Sequence, residues 1–248
     1  MAMIEVRDLW KAFGEKEVLR GVDLEVERGR TFVVLGASGS GKTVLLKHVI
    51  GLLQPDRGTV SVDGVEMSGL RGLALTEARR VFGMVFQGAA LFDSMTVFDN
   101  VAFPLREKQR RLPFPELEER VVESLRVVDL GDDVLDLWPA QLSGGMRKRV
   151  ALARALVAEP KVVLYDEPTT GLDPITSDSV DQMINRAKER RGVTSMVISH
   201  DIASAFRVAD RLAVLYDGRI AAQGTPEEVR RSEDPYVQRF LALWFEKQ

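Results

Sequence analysis

No cysteine occurs in this chain, so no disulfide framework holds it together, and that usage fits a reducing compartment. Also missing is any apolar run approaching the roughly 18 to 20 residues that span a bilayer. The N-terminus, Met1-Ala-Met-Ile-Glu-Val-Arg-Asp8, lacks the pattern of a signal peptide. These absences predict a soluble, cytosolic protein that reaches a membrane only by docking to something embedded in it. Excess positive charge is absent as well. The formal net charge of -3 and pI near 5.6 argue against nucleic-acid binding driven by the chain as a whole. Repeats and low-complexity segments are not evident, and 248 residues fit one large domain or one core with a smaller inserted subdomain.

What is present begins with Gly36-Ala37-Ser38-Gly39-Ser40-Gly41-Lys42-Thr43, a full match to G-x-x-x-x-G-K-[ST]. The apolar run Thr31–Leu35 reads as a buried strand entering it, and Val44 to Leu53 carries helical spacing leaving it. Such a loop turns successive N–H groups inward, and the helix N-terminus adds a positive dipole end for phosphates. Lys42 then supplies a point charge on the β- and γ-phosphates and the Thr43 hydroxyl a ligand to Mg²⁺. A ligand-free glycine-rich turn has no use for Lys-Thr directly behind it.

Upstream, Met3 to Leu9 and Val18 to Val26 alternate as half-buried antiparallel strands, with Lys11 to Lys16 as the turn. Phe13 in that turn is either a hydrophobic plug or a stacking platform for a base. Thr59 to Val62 and Val65 form a hairpin around Asp63-Gly64, and Val81 to Phe86 is a short strand ending at Gln87. Beyond it, helical segments near Val97 to Leu105 and Pro115 to Leu130, separated by Pro113, Gly131 and Pro139, predict an inserted helical subdomain. Downstream, the pattern predicts a helix over Ile175 to Arg190, a strand over Val193 to Ser199, and a hairpin around Asp217-Gly218. At the end, Val237, Phe240, Leu241, Trp244 and Phe245 make an apolar stripe at helical spacing. Its default role is packing on its own domain, with a clasp on another protomer as the alternative.

Two further stretches carry chemistry. Lys161-Val-Val-Leu-Tyr-Asp166-Glu167 is an apolar strand ending in adjacent carboxylates, which calls for a cationic partner. Beside a phosphate loop, Mg²⁺ suits Asp166, while Glu167 polarises a water at the γ-phosphate. No guanine-reading Asn/Thr-Lys-x-Asp occurs, so ATP is preferred. In Leu142-Ser143-Gly144-Gly145-Met146, Ser143 is a natural N-cap and the glycines bare the first N–H groups of a helix over Arg147 to Ala158. Arg147, Lys148 and Arg149 then oppose the helix dipole, at some tenths of a kcal/mol each. They form either a solvated basic face or one with an anion or acidic partner nearby.

In order and spacing these residues resemble the ATPase subunits of ATP-binding cassette (ABC) transporters, over nearly the whole chain. The resemblance places Phe13 at the adenine-stacking aromatic, Gly36 to Thr43 at Walker A and Gln87 at the Q-loop glutamine. It places Leu142 to Met146 at the signature, Val162 to Glu167 at Walker B, Gly171-Leu172-Asp173 at the D-loop and His200 at the switch histidine. The implied fold is α/β, a P-loop NTPase of the ABC nucleotide-binding type with an antiparallel β subdomain and an inserted helical subdomain. The ATP-binding core is expected over residues 1–87 and 160–225, the helical subdomain over 88–159 and a C-terminal helical tail over 226–248. The implied mechanism is a head-to-tail homodimer in which Ser143, Gly144 and Gly145 of one protomer close on ATP held by Walker A of the other. Glu167 acts as catalytic base, Gln87 senses Mg²⁺ and the attacking water, and His200 holds the γ-phosphate; Thr43, Gln87 and Asp166 are the Mg²⁺ set. The other histidine, His48, reads as packing.

Met146 departs from the usual signature glutamine, and with the basic residues behind it resembles the Mla/Mce-type ATPases of phospholipid and lipid transport. So does Phe86 to Glu107, where Leu91, Phe92 and Phe98 lie beside the Q-loop, at the place that receives a coupling helix from a permease. That resemblance implies an MlaE-like integral-membrane permease and an Mce-domain lipid-binding subunit as partners, with no nucleic acid. It implies a place at the inner face of the cell membrane. The alternatives are the ATPase of an importer for small polar solutes and a soluble ABC ATPase outside transport.

Overall fold

Alternating apolar residues make β1 (Ala2–Phe13) and β2 (Lys16–Glu27) an antiparallel pair with Ile4, Val6, Val22 and Leu24 inside. Both strands outrun the sequence expectation. The connecting turn shrinks to Gly14-Glu15, and Phe13 ends β1 instead of sitting in a loop. Register shifts at Leu9/Trp10 and Lys11/Ala12 let the polar end of β1 keep pairing. The carboxylate of Asp56 holds it from outside, accepting from Lys11 Nζ at 2.7 Å and from the Ala12 N–H at 2.7 Å. β3 (Thr31–Leu35) is buried throughout and leads to α1 (Lys42–Val49), which stops short of the expected Leu53 because Gly51 turns left-handed at φ 71°. β4 (Arg57–Val62) and β5 (Val65–Glu66) form the expected hairpin, and the first sheet has the order β2-β1-β4-β5. Asp63 and Gly64 both take positive φ, as a two-residue turn of this hand requires. α2 (Gly72–Ala78) was not foreseen: it buries no residue and so leaves no periodic signal.

The computed structural model describes residues 1–108 and 111–245, the last three as backbone only. The side chains of Trp244 and Phe245 in the expected C-terminal stripe lie outside the described residues, as do residues 246–248 of the expected tail. The chain divides into two compact units, Met1–Arg80 with Thr194–Gln248, and Val81–Val193.

In the second unit, β6 (Phe82–Val85) pairs with a parallel strand further on, and three helices follow it. These are α3 (Val97–Lys108), α4 (Phe114–Val127) and α5 (Gly144–Leu156). The parallel partner of β6 is β7 (Val162–Asp166), followed by α6 (Pro174–Arg191). α5 is the central element, packed against β6, α3, α4 and α6. Gly83 admits that packing, since a Cβ there would run into the Ala155 carbonyl. Asn100, fully buried, organises the approach to α3: its amide nitrogen donates to the carbonyls of Phe92, Met95 and Thr96 at 3.0–3.1 Å, and its Oδ1 accepts from the Phe92 N–H at 2.8 Å.

The chain then completes the first unit with β8 (Thr194–Ser199), α7 (Ile202–Val208), β9 (Arg211–Tyr216) and β10 (Arg219–Gly224). Within this unit the strand order is β10-β9-β3-β8, with β3 parallel to both β8 and β9. The sequence reading missed α7 and did not separate α8 (Pro226–Arg230) within the tail expected to be helical, each being too short for a period to show; their signals are caps, Asp201 accepting from the Ser204 N–H and a Thr225/Glu228 capping box. α9 (Pro235–Phe245) packs against α7, α8 and β10 of its own unit, burying Val237 and Leu241. Tyr236 stacks on Tyr216 at 3.6 Å between ring centroids.

Gly58 holds φ +89°, and a Cβ there would collide with the carbonyl oxygens of Arg7 and Asp8 on the neighbouring strand. Gly58→Ala should therefore destabilise the protein by at least about 2 kcal/mol, a fall in melting temperature of roughly 4–8 °C by calorimetry. An unchanged melting temperature would contradict this packing of β4 on β1.

Candidate functional site

The first unit builds an anion cradle. Parallel pairing sets Leu35 opposite Ser199, so the Gly36 loop and His200 leave adjacent strands at the same level. Gly36 is required: a Cβ would lie 2.5 Å from the Leu215 carbonyl oxygen and 2.6 Å from Ser40 Oγ. Gly41 caps α1 at φ 106°, a conformation that favours glycine, and Ala37, Ser38 and Gly39 arch outward and are exposed. Lys42 is buried, its ammonium donating to the carbonyls of Gly36 at 2.8 Å and Ala37 at 3.1 Å, which closes the loop on itself. Ser40 Oγ is buried and has no hydrogen-bond partner among the described residues. No side chain caps α1 and no acidic residue lies in its first turn, so the helix start presents N–H groups to an external acceptor. A buried hydroxyl without a partner and an uncapped helix start both suit the oxygens of a phosphate chain.

Around the cradle, Thr43 and His200 are exposed. Phe13 is 49% exposed, which fits a platform better than a plug. Lys11 Nζ lies 5.7 Å from the Phe13 ring centroid and also donates to Gln54 O at 2.9 Å. The Lys11 ammonium holds the Asp56 carboxyl below the usual carboxylate range. His48 is buried, donates Nδ1–H to Val44 O at 2.7 Å and has its pKa pulled down by burial, as a packing residue would.

The second unit gathers the other expected residues. Parallel pairing sets Val85 opposite Tyr165, so Phe86-Gln87 and Asp166-Glu167 leave neighbouring strands together. Gln87 is exposed and Asp166 and Glu167 are half-buried. Glu167 sits at φ 51°, and its Oε2 accepts from Thr170 Oγ1 at 3.2 Å. Ser143 caps α5, accepting from the Met146 N–H at 3.2 Å, and so starts the helix three residues before the expected Arg147. Gly144 and Gly145 form its bare first turn, and Asp173 caps α6 through the N–H groups of Ile175 and Thr176. Hydrogen bonds from Thr176 hold the Asp173 carboxyl below its usual range.

Of the basic triplet only Arg147 is exposed; Lys148 is buried and Arg149 half-buried. Arg147 donates to Leu142 O, and Lys148 donates to Gln87 O and Pro168 O, all at 2.7 Å. Arg149 donates to Val128 O, Asp129 O and Ser179 Oγ, and lies 3.9 Å from the Asp129 carboxylate. Main-chain carbonyls, with one carboxylate, offset the dipole cost. Arg154 escaped the sequence reading, and so did the burial of Lys148, although Lys148 sits at helical spacing from Ala151, Leu152 and Ala155 on a buried face. That spacing was the available signal.

Also in this unit, Phe86 and Phe92, each 41% exposed, border an apolar groove of about 390 Å³ with Phe103 and Met84. Leu91 and Phe98 are half-buried, so of the three apolar residues singled out beside the Q-loop only Phe92 is exposed. Ser143→Ala should cost about 1 kcal/mol through the lost N-cap, read as a reduced denaturant midpoint. No change would show that the cap contributes nothing.

Residues 19–170 match the ABC transporter family. The chain is 40% identical over 238 residues to the probable ribonucleotide transport ATP-binding protein mkl of Mycobacterium leprae, covering 96% of this chain and 68% of that protein. It is 38% identical over 239 residues to the intermembrane phospholipid transport system ATP-binding protein MlaF of Escherichia coli, covering 96% and 88%. Its fold is similar to that of the ATP-binding cassette MJ0796, solved as a dimer in a post-hydrolysis state with ADP and Pi, at a TM-score of 0.81 and 33% identity over 90% of this chain and 98% of that one. By the family match and these identities, the chain belongs to the ABC transporter family, as one of its ATP-binding cassettes.

Proposed function

We propose that this chain is the ATP-hydrolysing subunit of an ABC transporter that moves phospholipid through a separate membrane permease. The observation that carries the ATPase reading is the Gly36–Thr43 cradle, with its inturned Lys42 and uncapped α1. The lipid cargo is supported by the similarity to a phospholipid transport ATP-binding protein and by the apolar groove beside Gln87. No described helix is long and apolar enough to cross a membrane, and in this reading the cargo path is the permease's.

In this reading Phe13 stacks on the adenine, and the N–H groups of residues 36–43 with Lys42 bind the phosphates. Thr43, Gln87 and Asp166 are oxygen donors of the hard kind that Mg²⁺ takes, and the ion would neutralise charge on the β- and γ-phosphates. Glu167 orients and deprotonates the attacking water, and His200 donates to the γ-phosphate. Ser143, Gly144 and Gly145 contribute N–H and hydroxyl donors to the nucleotide of a second protomer, making hydrolysis conditional on a homodimer. The ATP-binding core comprises 1–87 and 160–225 and the signature-bearing subdomain 88–159. The permease docks beside Phe92, an Mce-type subunit hands over lipid, and the complex sits at the inner face of the cell membrane. A polar cargo is the second reading, favoured by the ribonucleotide transport name of the mycobacterial relative.

Glu167→Gln should lower turnover by at least about a hundredfold while leaving ATP affinity within about twofold. Full activity in that variant sinks the catalytic assignment. Phe92→Asp should abolish co-purification with the permease at unchanged melting temperature, whereas unfolding would mark Phe92 as core. Co-expression with its genomic neighbours, followed by mass spectrometry of bound lipid, decides the cargo. Bound phospholipid with a multispan permease supports the first reading, and a solute-binding partner without lipid supports the second.

A further inference from the structure

α5 carries two buried cations whose hydrogen-bond acceptors among the described residues are all main-chain carbonyls. Lys148 and Arg154 are each 8% exposed. Lys148 Nζ donates to Gln87 O and Pro168 O, both at 2.7 Å, and Arg154 donates to Ala90 O at 2.7 Å and Ala89 O at 2.9 Å. Burial lowers the pKa of both groups, so an apolar side chain of similar length would fill either place without a desolvation cost. The chain the cations hold is unusual. Ala89, Ala90 and Glu167 have φ of 63°, 47° and 51°, a region non-glycine residues enter only when the surroundings impose it. Cations placed on the carbonyls of these segments are such an imposition.

We propose that Lys148 is a positioning residue for ATP hydrolysis: one ammonium, bonded to the carbonyls of Gln87 and Pro168, fixes Gln87 relative to Glu167. The inference rests on the ATPase reading above. Both oxygens lie against the same nitrogen, so the segments after β6 and β7 cannot part without losing a bond. Lys148 also stands only five residues after Ser143, on the first turns of α5. A displacement of the signature end of α5 is therefore transmitted to Gln87 and to the Pro168-Thr169 peptide, directly after Glu167, through one side chain. Arg154, further along the helix, steadies the Ala89-Ala90 segment and leaves the Gln87–Glu167 separation to Lys148.

The test compares the full-length wild type with Lys148→Met, which keeps the apolar stem and loses the donors, and Lys148→Arg, which keeps donors. Lys148→Met should lower kcat at least about tenfold, with nucleotide Kd and melting temperature close to wild type, and Lys148→Arg should recover most of it. Hydrogen exchange in Lys148→Met should quicken at residues 86–91 and 167–171, with the rest of the unit unchanged. The proposal is overturned if Lys148→Met keeps wild-type kcat and exchange, or if affinity, melting temperature and kcat fall together, the mark of a purely structural role. Should Lys148→Met fail to fold, Lys148→Gln, whose uncharged amide ends one atom short of the ammonium position, carries the same comparison. A wild-type chain with no ATPase overturns the functional reading instead, and the exchange measurement then decides the clamp by itself.

Discussion

The chemistry-bearing residues of this protein depend on the register of two parallel strand pairs. In one unit Leu35 stands opposite Ser199, and in the other Val85 stands opposite Tyr165. Each pairing brings two functional segments out at the carboxyl end of its strands, where loops of an α/β sheet meet their ligands. Gly36 and His200 emerge together from the first pair, and Gln87 and Glu167 from the second. Burial of β3 and β8 at every position makes any slip costly, because the same apolar faces must stay covered.

The two units handle electrostatics by the same device. In the phosphate loop Lys42 turns onto the carbonyls of Gly36 and Ala37, and in the helical unit Lys148 and Arg154 turn onto those of Gln87, Pro168, Ala89 and Ala90. A carbonyl accepts from an ammonium without cancelling its charge. The cation thus shapes the loop while its charge remains available to a phosphate or a neighbouring segment. Carboxylates in these places would quench the charge as well as fix the loop.

If hydrolysis is to respond to a permease, the proposed docking surface and the proposed hydrolytic groups need mechanical continuity. α5 offers it within one unit. The helix begins at the Ser143 cap, carries Lys148 and Arg154 and packs on α3, whose approach is organised by Asn100 beside Phe92. The groove next to Phe86 and Phe92 includes Arg154 in its lining. The apolar surface and the main chain of the glutamine segment therefore share a side chain.

By itself the sequence picked out the segments on which the proposed chemistry rests. The glycine and lysine spacing of residues 36–43, the acid pair after Val162–Tyr165 and the Ser143 cap are local signals, each set by what a backbone can do within a few residues. It also determined the long strands and helices, whose periods are carried by many residues. What it left open is what needs neighbours far along the chain. Phe13 ends a strand because Asp56, distant in sequence, accepts from Lys11 and Ala12. The helices α2, α7 and α8 are shorter than the window in which a period shows. Arg147, Lys148 and Arg149 read either as a solvated basic face or as one with an anion or acidic partner nearby, and Arg147 is indeed exposed. Only the tertiary structure, by delivering carbonyls from three other segments to that helix, decided that Lys148 is buried, since a main-chain acceptor is the same in every residue and leaves no mark in the sequence.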